Sequence, residues 1–334
     1  MLQVLITIDT ECSLGGAWEN SDLEPIDPER AILGRIGSEY YGTPRIMDIL
    51  EENGLRGTFF VEVFAGLNGS RAALTEAYSQ IAKRSHDIQL HLHPIHYYYH
   101  LRKEGVLDLQ KLPKDKDMFA AHSPEKQVEM LRAGVALFRD MVGEIPVAFR
   151  AGNFGANLST LEALEKVGIR FDSSFNASYT QTDCKLDSGG AINRSWQHGH
   201  VWEIPITNFQ TGRWGLRGLK QLNINAVSLW EMKSVLDQAA RIGLRTVNFI
   251  AHSFSLFKVA DIQFLKLRPD RLALRRFHGL CRFLRENADR FRVVGFSDLD
   301  LTYLPGEEKE TPHMGLVVPF VRKGVQIVNR MSWI

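Results

Sequence analysis

The chain has 334 residues, 44% of them apolar and 24% charged, and its 40 Lys plus Arg against 39 Asp plus Glu leave a net charge of +1, without the basic field that nucleic-acid binders carry. Cys12, Cys184 and Cys281 are odd in number, widely spaced and form no CxxC, which excludes a disulfide framework and a cysteine zinc knuckle. No 18-residue apolar run is present and residues 4–8 enter a strand without a basic leader, so a cytoplasmic protein with no transmembrane segment is expected.

In chain order, short β-rich apolar runs alternate with stretches of helical period. Residues 2–8 predict a strand, 44–52 a helix, 57–63 a strand, 71–84 a helix, 88–93 a strand and 124–141 a helix. The rhythm continues with strands at 147–149, 169–171, 201–206, 246–251 and 292–295, and with helices at 158–167, 229–242 and 271–287. About seven or eight strands, most followed by a helix, fit a parallel sheet covered on both faces and closed as an α/β barrel. Ser123-Pro124 and Thr43-Pro44 predict N-caps ahead of a proline at the first helical position, and Gly54, Gly168 and Gly243 predict helix stops. The polar segments 15–42 and 176–200 are expected as loops over one rim, and the chain is expected to divide into a barrel, residues 1–303, and an extension, 304–334.

The strand ends carry the chemistry. "LITIDTEC" ends in Asp9 and Glu11, two residues apart and so on the same side of an extended chain. Two carboxylates so placed repel unless a cation or a ring of hydrogen bonds relieves them. In "SHDIQLHLHPIHYYYH" the alternation puts His91 and His93 side by side, a spacing suited to two nitrogen ligands on one zinc. His96 is the alternative second ligand, whereas His86 and His100 read as loop or surface histidines, and the tyrosines at 97–99 as a sugar-stacking face or a cover for the core. "VAFRAGNFGAN" places Arg150 at a strand end before a Gly-rich turn and a helix N-capped near Asn157. Its fixed charge would keep a neighbouring carboxylate ionised, and the turn's N–H groups would face an oxyanion. "IRFDSSF" contributes Asp172 and "VNFIAHSFSL" His252 at two further strand ends. Polar groups that end five otherwise apolar strands carry a cost unless they satisfy one another or a metal.

With these five pieces in this order the chain resembles the polysaccharide deacetylase family, the NodB-homology or carbohydrate esterase family 4 enzymes, over most of residues 2–300. Asp9-Thr10-Glu11 looks like the first motif of that family, the pair His91 and His93 like the second, "RAGNFG" like the third, "DSS" at Asp172 like the fourth and "AHS" at His252 like the fifth. The resemblance implies a distorted (β/α)7 barrel, a divalent metal (zinc, or another ion such as cobalt) and hydrolytic removal of an N- or O-acetyl group from a saccharide. It implies Asp9 as base, Glu11, His91 and His93 as metal ligands, and Arg150 as the partner of Asp9. His252 would be the acid that protonates the leaving group, and Asp172 would orient that imidazole or bind the sugar. Two positions depart from the pattern. Many members have adjacent aspartates where this chain has Asp-Thr-Glu, and many have histidines four apart where position 95 here is Ile, so the second histidine ligand is His93 or His96. HxHP occurs in branches associated with surface-glycan synthesis, which agrees with a cytoplasmic role.

Trp18, Trp196, Trp202 and Trp214 lie in or beside the rim segments, as sugar-stacking faces or as packing. "KLRPDRLALRRF" is a basic helical run, either a peripheral contact to a diphosphate carrier or an anionic membrane, or a solvated helix face. Two alternatives stand beside the deacetylase reading: a saccharide-binding barrel without catalysis, and a C–N hydrolase for cyclic ureides.

Overall fold

Every position of the first strand, Leu2–Thr10, is buried, as a parallel strand covered on both faces must be. The computed structural model describes residues 1–107, 114–212, 218–304 and 310–314. Its framework is a set of parallel strands: β1 (Leu2–Thr10), β2 (Thr58–Glu62), β3 (Asp87–Leu92), β4 (Ala148–Ala151), β5 (Phe171–Asp172), β6 (Val201–Glu203) and β7 (Thr246–His252). They pair in the order β7-β1-β2-β3-β4-β5-β6. The gap between β6 and β7 is bridged by single backbone bonds, Thr207 N to the Asn248 carbonyl at 3.1 Å and Ile224 N to the Ile250 carbonyl at 3.2 Å. The result is a distorted (β/α)7 barrel. Beyond β7 come a hairpin, β8 (Phe257–Val259) and β9 (Leu267–Pro269), and β10 (Phe291–Val293), which pairs with the start of β1.

The helices cover the outside: α1 (Thr43–Glu51), α2 (Arg71–Lys83), α3 (Pro94–Lys103), α4 (Pro124–Val142), α5 (Leu158–Lys166), α6 (Leu229–Ile242) and α7 (Arg271–Glu286). Alternation along each strand sorts the core into two layers. Val4, Ile6, Ile8, Phe59, Val61 and Leu90 point outward and pack with the helices. Leu5, Phe60, Ala148, Phe171 and Ile204 point inward and, with Phe296, fill the lower barrel. The polar strand ends therefore sit above an apolar plug.

Caps follow the sequence at most helix ends. Ser123 accepts from Lys126 N, Asn157 forms a capping box with Thr160, and Gly243 closes α6 with a φ of 78°. Thr43 is not a cap: Gly42 occupies that position, and the Thr43 hydroxyl bonds the Ile32 carbonyl instead. The helix α3 was not legible, because "PIHYYYHLRK" has no apolar period. Pro94 both ends β3 and starts α3, where its missing N–H is no loss. The rim segments are mostly loop, but 15–42 includes a short helix, Pro28–Ala31, and a small hairpin, and 176–200 includes the strand Trp196–His198. The basic run 266–277 is not one helix; it is split between β9 and the start of α7. Trp214 and most of the extension from residue 304 lie outside the described residues, apart from Leu304 and 310–314, where His313–Met314 pairs with Gln210 and Thr211.

Candidate metal centre

Register decides which strand ends meet. Asp9 lies opposite His252 across β1 and β7, Glu62 opposite His91 across β2 and β3, and His91 opposite Arg150 across β3 and β4. All are at the carboxyl end of the barrel, where such folds assemble their sites. Arg150 is fully buried and crosses the barrel with its guanidinium 4.2 Å above the Phe60 ring. It donates to Asp9 Oδ1 at 2.5 Å, to Thr7 Oγ1 and Ser173 Oγ at 2.9 Å each, and to the Ser173 carbonyl at 3.1 Å. Asp9 is 4% exposed, so this ion pair satisfies a charge that could not otherwise stay buried.

Glu11, one residue past β1, aims Oε2 at His91 Nε2, 3.1 Å away, and at His93 Nε2, 2.9 Å away. One donor atom from each of the three lies within 4.8 Å of the others. The far nitrogens of both rings are secured: His91 Nδ1 is 2.8 Å from the Arg150 carbonyl, and His93 Nδ1 is 2.9 Å from Asp117 Oδ2. A carbonyl oxygen only accepts, so His91 carries its proton on Nδ1 and presents the Nε2 lone pair to the centre. One carboxylate and two imidazoles with fixed tautomers make a donor set that fits zinc with a coordination position to spare. Burial alone would raise the Glu11 carboxyl, but His93 and His91 outweigh it and hold it well below the usual carboxylate range. Burial alone would lower His93, but Asp117 and Glu11 outweigh it and hold it well above an ordinary histidine. A divalent cation would take the place of that proton.

A cavity of about 450 Å³ opens beside Glu11 and His93, with Trp18, Phe254 and Phe264 in its wall. His252 stands at its edge, 29% exposed, with Nε2 3.9 Å from Glu11 Oε1 and its ring stacked on Phe254.

Several of the groups that support this centre carry no signal in the sequence. Asp117 accepts from His93, from Ile95 N at 2.9 Å and from Asn153 Nδ2 at 2.8 Å, yet it comes from a segment with no period to mark it. Glu62 is fully buried and accepts from Phe64 N and Ala65 N, tying the end of β2 to the turn that follows. The "RAGNFG" turn holds Asn153 and Phe154 at φ values of 55° and 57°, a left-handed conformation seldom adopted by Phe. Gly152 is required there, since a Cβ would fall 2.5 Å from His93 Nδ1.

Other expected residues do not join the centre. Asp172 is displaced by strand alternation: Ser173 faces inward to Arg150, so Asp172 faces outward, bonds Ser174 Oγ at 2.6 Å and pairs in register with Glu203. It makes no hydrogen bond to His252. His96 is committed to the Cys12 carbonyl at 2.8 Å, and His93, not His96, faces Glu11. His86 accepts from Gly57 N and faces Glu51. Trp196 and Trp202 pack against the two core layers, Tyr98 stacks on His122, and Tyr97 and Tyr99 lie tilted against Phe64 and Trp18.

No protein-family model and no curated protein matches the chain in sequence. Among solved structures it is similar to a candidate polysaccharide deacetylase from Mycobacterium smegmatis, with a TM-score of 0.52 at 17% identity, over 94% of this chain and 95% of that one. A family 4 carbohydrate esterase from Streptomyces lividans, in complex with acetate, matches with a TM-score of 0.40 at 10% identity, over 87% and 91% of the two chains. A family 4 pseudoenzyme from Bacillus anthracis matches with a TM-score of 0.43 at 9% identity, over 94% and 69%. The resemblance read from the motifs therefore holds at the level of fold, the distorted (β/α)7 barrel of the polysaccharide deacetylases.

Proposed function

We propose that the protein is a metal-dependent hydrolase that removes an N- or O-acetyl group from a saccharide or glycan precursor. The observation that carries this reading is the set Glu11, His91 and His93, convergent within 4.8 Å, beside an Asp9 fixed by Arg150 and at the mouth of a cavity. Glu11 and the two histidines would hold the metal, which when bound supplies Lewis acidity toward the acetyl carbonyl and a lowered pKa for the attacking water. Asp9 takes the proton from that water on the oxygen that Arg150 leaves free. Arg150, itself braced by Thr7 and Ser173, keeps that carboxylate from rotating. His252, across Glu11 from the two ligands and steadied by Phe254, donates its proton to the departing amine or alcohol. Phe254 and Phe264 offer ring faces to a sugar. Asp172, on the outer side of the sheet, has no direct part in this scheme. Three buried free thiols fit a reducing compartment and support a cytoplasmic site of action.

The test begins with chelated protein, titrated with zinc and cobalt by calorimetry and then assayed for acetate release from acetylated amino sugars. Saturable one-site binding with metal-dependent release is expected. Protein that binds no divalent ion would sink the reading. Sugar binding without acetate release would favour the non-catalytic barrel, and turnover of allantoin-like compounds would redirect it to cyclic ureides.

A further inference from the structure

Two side chains in the cavity wall each hold a polar atom without a partner. Trp18 and His96 both line the cavity of about 450 Å³ beside Glu11 and His93, and they are only 3% and 2% exposed. Trp18 Nε1, a donor, meets no acceptor among the described residues. His96 Nε2 lies 2.8 Å from the Cys12 carbonyl and so carries the ring proton, which leaves Nδ1 as an acceptor that meets no donor there. Buried polar groups are nearly all hydrogen-bonded, because one left alone has lost its water for nothing. A lone donor and a lone acceptor in one cavity wall call for an occupant that brings both functions.

The loop after β1, which carries Trp18, is fixed on both flanks. Toward α3, the Trp18 carbonyl accepts from Arg102 Nη1 at 2.7 Å, and the Arg102 guanidinium lies 5.2 Å over the indole. Toward the β8–β9 hairpin, Gln263 Nε2 donates to the Gly15 carbonyl and, at 3.2 Å, to the Glu24 carbonyl, while the Gln263 carbonyl accepts from Arg30 Nη1 at 2.7 Å. Gly15 permits this approach, since its φ is 58° and a Cβ would fall 2.5 Å from Gln263 Nε2. The same hairpin contributes Phe264 to the cavity, its ring edge-to-face with Phe254 at 6.0 Å between centroids. A cleft that takes the interior of a polymer is open at two ends. This cavity, walled from α3 to the hairpin, instead falls in the range of about 300–1,000 Å³ typical of sites that enclose a small ligand. An acyl chain inside it would leave both polar atoms unpaired, whereas a sugar has hydroxyls that donate and accept, and an apolar face for the phenyl rings.

We propose that this cavity seats a single free or chain-terminal sugar unit, whose hydroxyls accept from Trp18 Nε1 and donate to His96 Nδ1. The substrate is then a short glycan precursor, not the interior of a polysaccharide. The proposal rests on the saccharide reading of the metal centre and adds to it the size of the substrate and its mode of entry.

The experiment is calorimetric titration of full-length Asp9→Asn protein, with zinc, by N-acetylglucosamine, N-acetylgalactosamine, N-acetylmannosamine and chitotetraose. At least one monosaccharide should bind, and chitotetraose should bind no more than about tenfold tighter, since only one unit is enclosed. Trp18→Phe, which keeps a ring and loses the N–H, and His96→Gln, whose amide can keep the bond to the Cys12 carbonyl, should each weaken the monosaccharide about tenfold. Thermal melts and zinc titration show whether these variants are folded, and the comparison of monomer with tetramer needs neither of them. Binding of chitotetraose alone, or folded variants that bind the sugar as tightly as their parent, overturns the proposal. So does octanoyl hydroxamate that binds more than about 100-fold tighter than acetohydroxamate, which would give the cavity to an acyl chain. Acetate release from chitotetraose by a wild type that ignores all three monosaccharides overturns the proposal and leaves the hydrolase standing. Monosaccharide binding that both variants weaken, in a wild type that releases no acetate, supports the cavity assignment and removes the hydrolase.

Discussion

Asp9 and Glu11 are two residues apart, yet they face different partners: Arg150 holds the first, while His91 and His93 receive the second. This division predicts different outcomes for near-isosteric changes. Glu11→Gln and His91→Ala should lose zinc binding in calorimetric titration. Asp9→Asn should keep the metal and lose turnover by about 10²- to 10⁴-fold, the usual contribution of a positioned base. Equal loss of metal in both groups of variants would exchange the assigned roles. Asp117 tests the support behind the ligands. Without its carboxylate the His93 Nδ1 proton loses its strongest acceptor, so Asp117→Asn should weaken zinc affinity by about 10- to 100-fold while the fold persists. An unchanged zinc affinity would mean that the Gly152 turn alone sets the ring. Of these residues, Asp9, Glu11, His91, Arg150 and His252 were legible in the sequence, because each closes a strand of clear pattern, whereas His93 stood there beside His96 as an alternative. Asp117 was not, because a loop residue is brought to its partner by the path of the chain and by nothing in its own neighbourhood.

Among the elements, β5 and β6 carry a feature that alternation explains and motif reading missed. Asp172 and Glu203 face each other in register on the outer side of the sheet, both fully buried. Asp172 Oδ2 and Glu203 Oε2 are buried with no donor from elsewhere, so a proton held between the two carboxyls would relieve both. Burial raises both, Glu203 strongly, with the Asp172 charge adding to the effect. The folded chain thus keeps a proton that the unfolded chain releases, and the unfolded state binds fewer protons above the ordinary carboxyl range. The stability from this pair is fully present at a pH below that range, about 4, and is lost progressively as the pH rises above it and through the raised values of the folded pair. Glu203→Gln removes the shared proton, so its melting temperature should fall less than that of wild type between about pH 5 and pH 8. Parallel profiles for the two proteins would show that the pair is ionised in the fold. The helices of clear period were read from the sequence nearly to their ends, whereas α3 was not, since its histidines and tyrosines are packed by tertiary contacts and follow no local period.

For the whole molecule, β1 lies between strands from both ends of the barrel sequence: β2 on one side, β7 on the other, and β10 along its first residues. A fragment ending at Gly243 lacks β7, leaves one edge of β1 unpaired, and removes Asn248, whose side chain bonds Thr7 and Ser173 beneath the site. Such a fragment should show no cooperative unfolding transition by circular dichroism and no zinc binding; zinc binding at full strength would show that the site needs only β1 to β6. What the sequence by itself determined was local: the strand and helix rhythm, the helix caps at Ser123 and Asn157, and which polar groups close which strands. These follow from side-chain period and backbone chemistry over a few residues. What only the tertiary structure decided was direction and company. It brought His93 rather than His96 to Glu11, turned Asp172 away from His252, and placed Asp117 behind His93. Such outcomes depend on strand register and loop path, where a shift of one residue moves a side chain to the opposite face.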